Sequence, residues 1–262
     1  MSGTTAQRVA MVTGAGRGIG ASIATRLAAD GLTVAVCDID EKSALATATK
    51  LQRTGAVSRA FGIDVADAES VQAAVDRVQS ELGPVDILVN NAGVISVAPL
   101  ADLAEDEWDR VLDINLKGQF LCARSVLPGM RNRGWGRIVN IASDAAKTAE
   151  AYIAHYSASK FGVVGLTQSI ALEFALAGIT ANAVCPAITR TPMMDQLAEQ
   201  LGASVPDGPT VGEWSTSFID EIPLGRAMRP EDIAHLCSFL VSEGAGGISG
   251  QAINVSGAHE MH

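Results

Sequence analysis

What the 262-residue chain lacks narrows its function first. Only four cysteines occur, Cys37, Cys122, Cys185 and Cys237, far apart and never as a Cys-x-x-Cys pair. Neither a zinc site nor a redox dithiol is therefore indicated, no metal is expected, and buried free thiols are the natural reading. No run of 18 apolar residues is present and no basic segment followed by an apolar stretch opens the chain. A membrane span and a secretion signal are thus unsupported, and a cytoplasmic protein is the expectation. An excess of basic charge is also missing: 19 Lys and Arg stand against 29 Asp and Glu, a net charge of -10. Bulk charge therefore argues against nucleic acid or an anionic membrane as partner. What is present is a hydrophobic share of 48% with 18% charged residues, the composition of a globular core. The length suits one large α/β domain or two small ones.

The first half reads as a phosphate site. Gln7 to Thr13 is a short apolar run that stops at Gly14-Ala15-Gly16-Arg17-Gly18-Ile19-Gly20, after which Ala21 to Asp30 has helical character. Glycines let a backbone approach a pyrophosphate closely, and the next helix offers unpaired N–H groups and its positive dipole end. The spacing fits Thr-Gly-x-x-x-Gly-x-Gly and departs from the usual Rossmann fingerprint, since Ile19 falls in third place. A plain strand-to-helix turn needing glycine is the competing reading. Leu32 to Cys37 is a second strand ending at Asp38, where an acid accepts the adenosine-ribose hydroxyls and repels a 2'-phosphate. That favours NAD over NADP, although Arg17 and Lys42 could reach a 2'-phosphate. Asp40 reads as the cap of a helix starting near Glu41. Ala56 to Ile63 is a third strand leading to Asp64-Val65, Asp67 caps a helix to Leu82, and Gly83-Pro84 closes it. Val85 to Val89 is a fourth strand, followed by Asn90-Asn91-Ala92-Gly93 at its carboxyl end, where ligands of open α/β sheets bind.

The second half carries candidate chemistry. Glu105 to Arg133 reads as one long helical stretch with an amide, Asn115, in an apolar neighbourhood; a buried amide must be hydrogen-bonded. Gly134 to Ala142 is a fifth strand that delivers Ser143 at its end. In His155 to Phe161, Tyr156 and Lys160 lie four residues apart, on one helix face about ~5.4 Å from each other along the axis. A phenol beside a fixed cation is a proton-transfer device, though a general base near neutrality needs its pKa lowered from ~10, roughly 4 kcal/mol of help. His155 and His235 read as structural or exposed.

These motifs, in this order and approximate spacing, resemble the short-chain dehydrogenase/reductase family from about Arg8 to the C-terminus: TGAGRGIG, Asp38, NNAG, Asn115, Ser143, Tyr156-x-x-x-Lys160 and Pro186 to Thr191. The resemblance implies a doubly wound Rossmann-like α/β fold, a seven-strand parallel sheet with helices on both faces, and one domain over 1–262. By the same resemblance Tyr156 is the catalytic acid/base. Lys160 lowers its pKa and bonds the nicotinamide ribose, Ser143 positions the substrate oxygen, and Asn115 holds a water linking Lys160 to solvent. Gly14, Arg17, Gly18, Ile19 and Gly20 would hold the pyrophosphate, Asp64 and Val65 the adenine, and Asn91, Ala92 and Gly93 the adenosine side. Pro186, Thr189 and Thr191 would hold the carboxamide. Two departures stand out: Pro186-Ala187 where the family usually has Pro-Gly, and Ala258 in Asn254-Val255-Ser256-Gly257-Ala258 where a second glycine is common.

Residues 192–226 are expected to form a substrate lid. Met193, Leu197 and Leu201 repeat every four residues, Pro206 to Pro209 breaks the pattern, and Trp214, Phe218 and Ile219 add an apolar cluster. The lid and tail are similar to family members acting on sugar alcohols and vicinal diols. Phe161 to Ala177 has apolar side chains at 11 of 17 positions, which predicts burial on more than one side and a homo-oligomer with this helix and Glu105 to Arg133 at an interface; the family resemblance implies a homotetramer. The expected function is hydride transfer between NAD and a secondary alcohol or ketone, a small-molecule substrate. The rivals are an NADPH-dependent 3-oxoacyl thioester reductase, a non-catalytic dinucleotide-binding module, and an epimerase or dehydratase using bound NAD. Lys147, Glu150 and Arg190 lie near the expected cleft, and His259 and His262 could reach a substrate or a neighbouring subunit.

Overall fold

The structure, a computed structural model, describes residues 7–204 and 219–262. Short apolar runs become strands buried on both faces because helices cover the sheet above and below. They are β1 (Val9–Thr13), β2 (Thr33–Asp38), β3 (Ser58–Gly62), β4 (Val85–Asn90), β5 (Gly136–Ile141), β6 (Ile179–Pro186) and β7 (Ala252–Val255). All pair in parallel, in the order β3-β2-β1-β4-β5-β6-β7. The helices are α1 (Gly18–Ala29), α2 (Glu41–Gln52), α3 (Ala68–Leu82), α4 (Glu105–Leu112), α5 (Gly118–Arg133), α6 (Ala154–Phe174), α7 (Pro192–Ser204) and α8 (Pro230–Val241).

Two cores sandwich the sheet. Val71, Leu121 and Ile170 bring α3, α5 and α6 onto one face, while Ile23, Ala48 and Ile233 bring α1, α2 and α8 onto the other. Strand order reverses at β1, whose neighbours are β2 and β4, and such a switch point opens a crevice at the strands' carboxyl ends. The register keeps those ends level: Thr13 pairs with Cys37, Val12 with Val89, and Asn90 with Asn140.

Several local expectations hold. Asp40 caps α2 by accepting from Lys42 N at 3.1 Å, and Asp67 caps α3 by accepting from Glu69 N at 3.0 Å. The four cysteines are free and buried. The expected single helix over Glu105 to Arg133 is instead α4 and α5 joined by a π turn, Asp113–Lys117, centred on Asn115. Wide turns of this kind often mark functional sites. Helix α6 and its extension to Ala177 are long and apolar enough to cross a membrane by composition alone. Its inner face, however, packs His155, Ser159, Lys160 and Thr167 onto the sheet.

Candidate active site

The glycine turn is built from close approaches. A Cβ on Gly14 would meet Ala92 Cα at 2.8 Å, and one on Gly20 would run into the Gly14 carbonyl oxygen. Gly14 and Gly18 adopt φ of 60° and 56°, the left-handed region that favours glycine. Asn91 clamps the turn from β4: its amide donates to Thr13 O and Gly14 O, each at 2.9 Å. Asp38 joins it from β2, Oδ2 accepting from Gly16 N at 2.9 Å and Oδ1 from Asp40 N at 3.0 Å. Helix α1 then begins with no side-chain cap and no acid in its first turn. Its unpaired N–H groups suit an anion such as a pyrophosphate, so the residues present fit a dinucleotide.

A cavity of about 760 Å³ runs from this turn to α7. It is lined by Gly14, Arg17, Gly18, Ile19, Asp38, Asp64, Val65, Asn91, Ala92 and Gly93, then by Ser143, Tyr156, Lys160, Pro186, Thr189 and Thr191. Two expected site residues do not line it. Gly20 lies beneath the turn, where its missing side chain permits packing. Asn115 is wholly buried, and the π turn aims it at the loop after β4: its amide donates to Val94 O at 2.9 Å and Ser159 Oγ at 3.1 Å, while Oδ1 accepts from Val94 N at 2.8 Å. Both donors are spent on protein, so the side chain acts as a staple between the loop after β4 and the start of α6. Asn91 likewise spends its amide on the glycine turn.

At the other end, Ser143 follows β5 and its hydroxyl donates to Asp144 Oδ1 at 2.9 Å. Tyr156 and Lys160 project from the first turns of α6. Lys160 Nζ donates to Ile141 O at 2.9 Å and lies 5.4 Å from the Tyr156 ring centre. Burial lowers the Lys160 ammonium to about 8. Enclosure by the cleft holds the Tyr156 phenol above its ordinary range, with the Ser143 hydroxyl opposing and Asp144 and Glu150 adding to the rise. Desolvation is the largest cause of that rise, because burial favours the neutral phenol.

His155 is structural, as expected. The Ser96 hydroxyl donates its single proton to Glu107 Oε1, so His155 Nε2, 2.7 Å away, donates to Ser96. Nδ1 is left as a buried, unpartnered lone pair. Burial lowers the His155 pKa, with Glu107 opposing. The Arg110 guanidinium and the Ser96 hydroxyl together hold Glu107 down to about 2, the arginine foremost.

Other expectations divide. Glu150, Met193 and Leu197 line the cavity, whereas Lys147 turns away to donate to Ala252 O at 3.1 Å and Arg190 is exposed. Ala187 avoids left-handed backbone, but Ala258 adopts it, with φ of 72° beside Gly257 at 63°. His259 folds back over its own chain to within 3.6 Å of Asp144, and His262 reaches Glu260 at 3.0 Å. Val94, Ile95, Asp144 and Ile153 line the cleft without having been singled out. They are apolar or turn residues whose only signal is nearness to NNAG and Ser143. Pro206 to Pro209, Trp214 and Phe218 lie outside the described residues.

Fold and cleft together define a doubly wound α/β protein of the nucleotide-binding class. The sequence profile of the short chain dehydrogenase family matches residues 8–202, and the chain belongs to that family. It is an oxidoreductase acting on CH–OH or keto groups. It is 40% identical over 254 residues to D-threitol dehydrogenase of Mycolicibacterium smegmatis, covering 97% of this chain and 93% of that protein. It is also 40% identical over 253 residues to the 3-oxoacyl-(acyl-carrier-protein) reductase FabG of Staphylococcus aureus, covering 96% and 98%. A crystal structure of an actinorhodin polyketide ketoreductase variant with NADPH superimposes with a TM-score of 0.93 at 40% identity, over 98% of both chains. Gluconate 5-dehydrogenase from Burkholderia cenocepacia, in complex with NADP and tartrate, superimposes with a TM-score of 0.88 at 32% identity, over 96% and 94%.

Proposed function

We propose that this enzyme interconverts a secondary alcohol and its ketone with NAD, using Ser143, Tyr156 and Lys160. The observation carrying this reading is that the three side chains line one cavity with Gly14 and Asp38. The nicotinamide, when bound, supplies the hydride donor or acceptor. Ser143 orients the substrate oxygen. In ketone reduction the protonated Tyr156 phenol gives its proton to that oxygen. In alcohol oxidation the phenolate takes the hydroxyl proton, and the Lys160 ammonium, held by Ile141 O, favours that anion. Asn115 is a positioning residue that fixes Val94 and the start of α6.

NAD is favoured because Asp38 ends β2 as a carboxylate beside the glycine turn, where a 2'-phosphate would add like charge. We read 1–262 as one domain with a lid over the cleft at about 192–226, working in the cytoplasm. We also read it as a homotetramer. Phe161, Leu172 and Leu176 on the α6 side and Phe120 on α5 are exposed large apolar residues that a second subunit would cover. A second reading, an NADPH-dependent 3-oxoacyl thioester reductase, is favoured by the 40% identity to FabG.

The test is Tyr156→Phe. Turnover should fall at least ~100-fold while dinucleotide binding, followed by fluorescence, persists. Unchanged turnover would remove Tyr156 from the mechanism. Turnover with NADH against NADPH decides the cofactor, and an NADP preference would overturn the Asp38 argument.

A further inference from the structure

We propose that the substrate end of the cleft turns away anions, so that the enzyme acts on uncharged alcohols and ketones and not on hydroxy acids or thioesters of phosphorylated carriers. This rests on the oxidoreductase reading above and chooses between its two substrate classes.

The first observation is in the sequence. Of the described residues between Arg190 and Arg226, four are carboxylates, Asp195, Glu199, Asp220 and Glu221, and none is Lys, Arg or His. The second is in the cavity itself. Asp144, Glu150 and Glu199 line it together with Ser143 and Tyr156. Burial is the larger cause that holds the Glu150 carboxyl above its ordinary range, and Glu150 also feels Asp144 and Glu221 as like charges beside it.

The cations that line the same cavity are committed elsewhere. Lys160 Nζ lies under Tyr156, bonded to Ile141 O. Arg110 is held by both oxygens of Glu107, each at 2.7 Å. Arg17 belongs to the glycine turn, where the dinucleotide phosphates are expected. His259 does not line the cavity, and its ring faces two carboxylates, Asp144 at 3.6 Å and Glu221 at 3.8 Å. Among the described residues, no lining cation at the substrate end is left to pair with a carboxylate or phosphate on the substrate. A bound anion would instead add like charge to the lining acids. At about 8 Å and an effective dielectric of about 40, each such pair weakens binding roughly fivefold. The effect fades with salt, because the Debye length is ~10 Å at 0.1 M.

The experiment uses one ketone in three charge states: ethyl acetoacetate, acetoacetate and acetoacetyl-coenzyme A. Each is reduced by the full-length enzyme with NADH and with NADPH. At low ionic strength, kcat/KM for the ester should exceed that for acetoacetate and for the coenzyme A thioester at least tenfold, and the ratio should shrink as salt is raised. In Glu150→Gln/Glu199→Gln the ratio of ester to anionic substrates should fall at least threefold, whatever the change in turnover common to all three. Equal or better use of acetoacetate or the thioester, or a ratio that neither salt nor the double substitution alters, overturns the proposal and leaves the oxidoreductase reading standing. Reduction of none of the three with either cofactor refutes both.

Discussion

Asn115→Asp replaces one amino group with an oxygen and should turn a pH-independent staple into a pH-sensitive one. The native amide donates to Val94 O at 2.9 Å and to Ser159 Oγ at 3.1 Å, from a side chain with no exposed surface. A carboxylate at that position faces the Val94 carbonyl oxygen, lone pair to lone pair. A carboxylic acid can still donate to it, so the folded variant must hold a proton that the unfolded chain releases near pH ~3.9. The folded pKa is therefore raised, and stability falls as pH rises from about 4 to that folded value, by about 1.4 kcal/mol per unit. For a folded pKa near ~7, within the range known for buried carboxyls, the penalty is about 1.5 kcal/mol at pH 5 and about 4 kcal/mol at pH 7. Above pH 7 it is flat. Lys160 limits the rise: a Cβ on Gly93 would lie 3.2 Å from Asn115 Oδ1 and 3.6 Å from Lys160 Nζ, so the ammonium is close by. Urea unfolding at pH 5, 6 and 7 measures the effect, with Asn115→Leu as the isosteric variant whose loss does not titrate. Parallel pH curves for Asn115→Asp and the wild type would refute the reasoning.

Three further outcomes are expected beside that of Tyr156→Phe. Burial lowers Lys160 to about 8 from 10.5, so below pH 8 the fold carries the cost of a desolvated ammonium, and stability from this group rises as pH passes from 8 to 10.5. Lys160→Met should abolish turnover yet stabilise the protein at pH 7 by as much as ~3 kcal/mol, because Ile141 O keeps the Gln119 donor at 3.3 Å; a lower Tm than wild type would contradict this. Gly20→Ala drives a methyl into the Gly14 carbonyl and should weaken dinucleotide binding at least ~10-fold by calorimetry, an interaction lost with the turn's close approach. Ala258→Gly relieves a left-handed alanine, φ 72°, and should stabilise by about 0.5–1 kcal/mol; an unchanged or lowered melting temperature would show that the turn is not strained.

The fold was legible because its signals are local and repeated. Buried parallel strands print as short apolar runs, and Asp40, Asp67 and Gly83 punctuate the helices as their chemistry requires. The site was legible where a residue type is demanded by chemistry at a strand end, as with Asp38, Ser143 and the Tyr156–Lys160 pair. It was not legible where the role depends on which neighbour a side chain meets. Nothing in the sequence tells that Asn91 spends its amide on Thr13 and Gly14, or that the backbone widens into a π turn that aims Asn115 at Val94. The rise that burial and the neighbouring acids give the Tyr156 phenol is likewise a property of the assembled cleft. The left-handed Ala258 shows the reverse case: a departure from the common glycine was visible, while the retained turn shape was not.

Asp38 has a consequence for altering this enzyme. Its carboxylate is tied at once to Gly16 N and Asp40 N, so the group that would choose the cofactor also fastens the phosphate loop to the second strand and steadies the cap of the next helix. Replacing it to admit a 2'-phosphate strips two backbone donors of their acceptor in the same stroke. Redesign for the other dinucleotide therefore has to begin by rebuilding the join between residues 16 and 40, and any lineage that made the exchange had to pass through a variant with a loosened loop or acquire the replacement acceptor first.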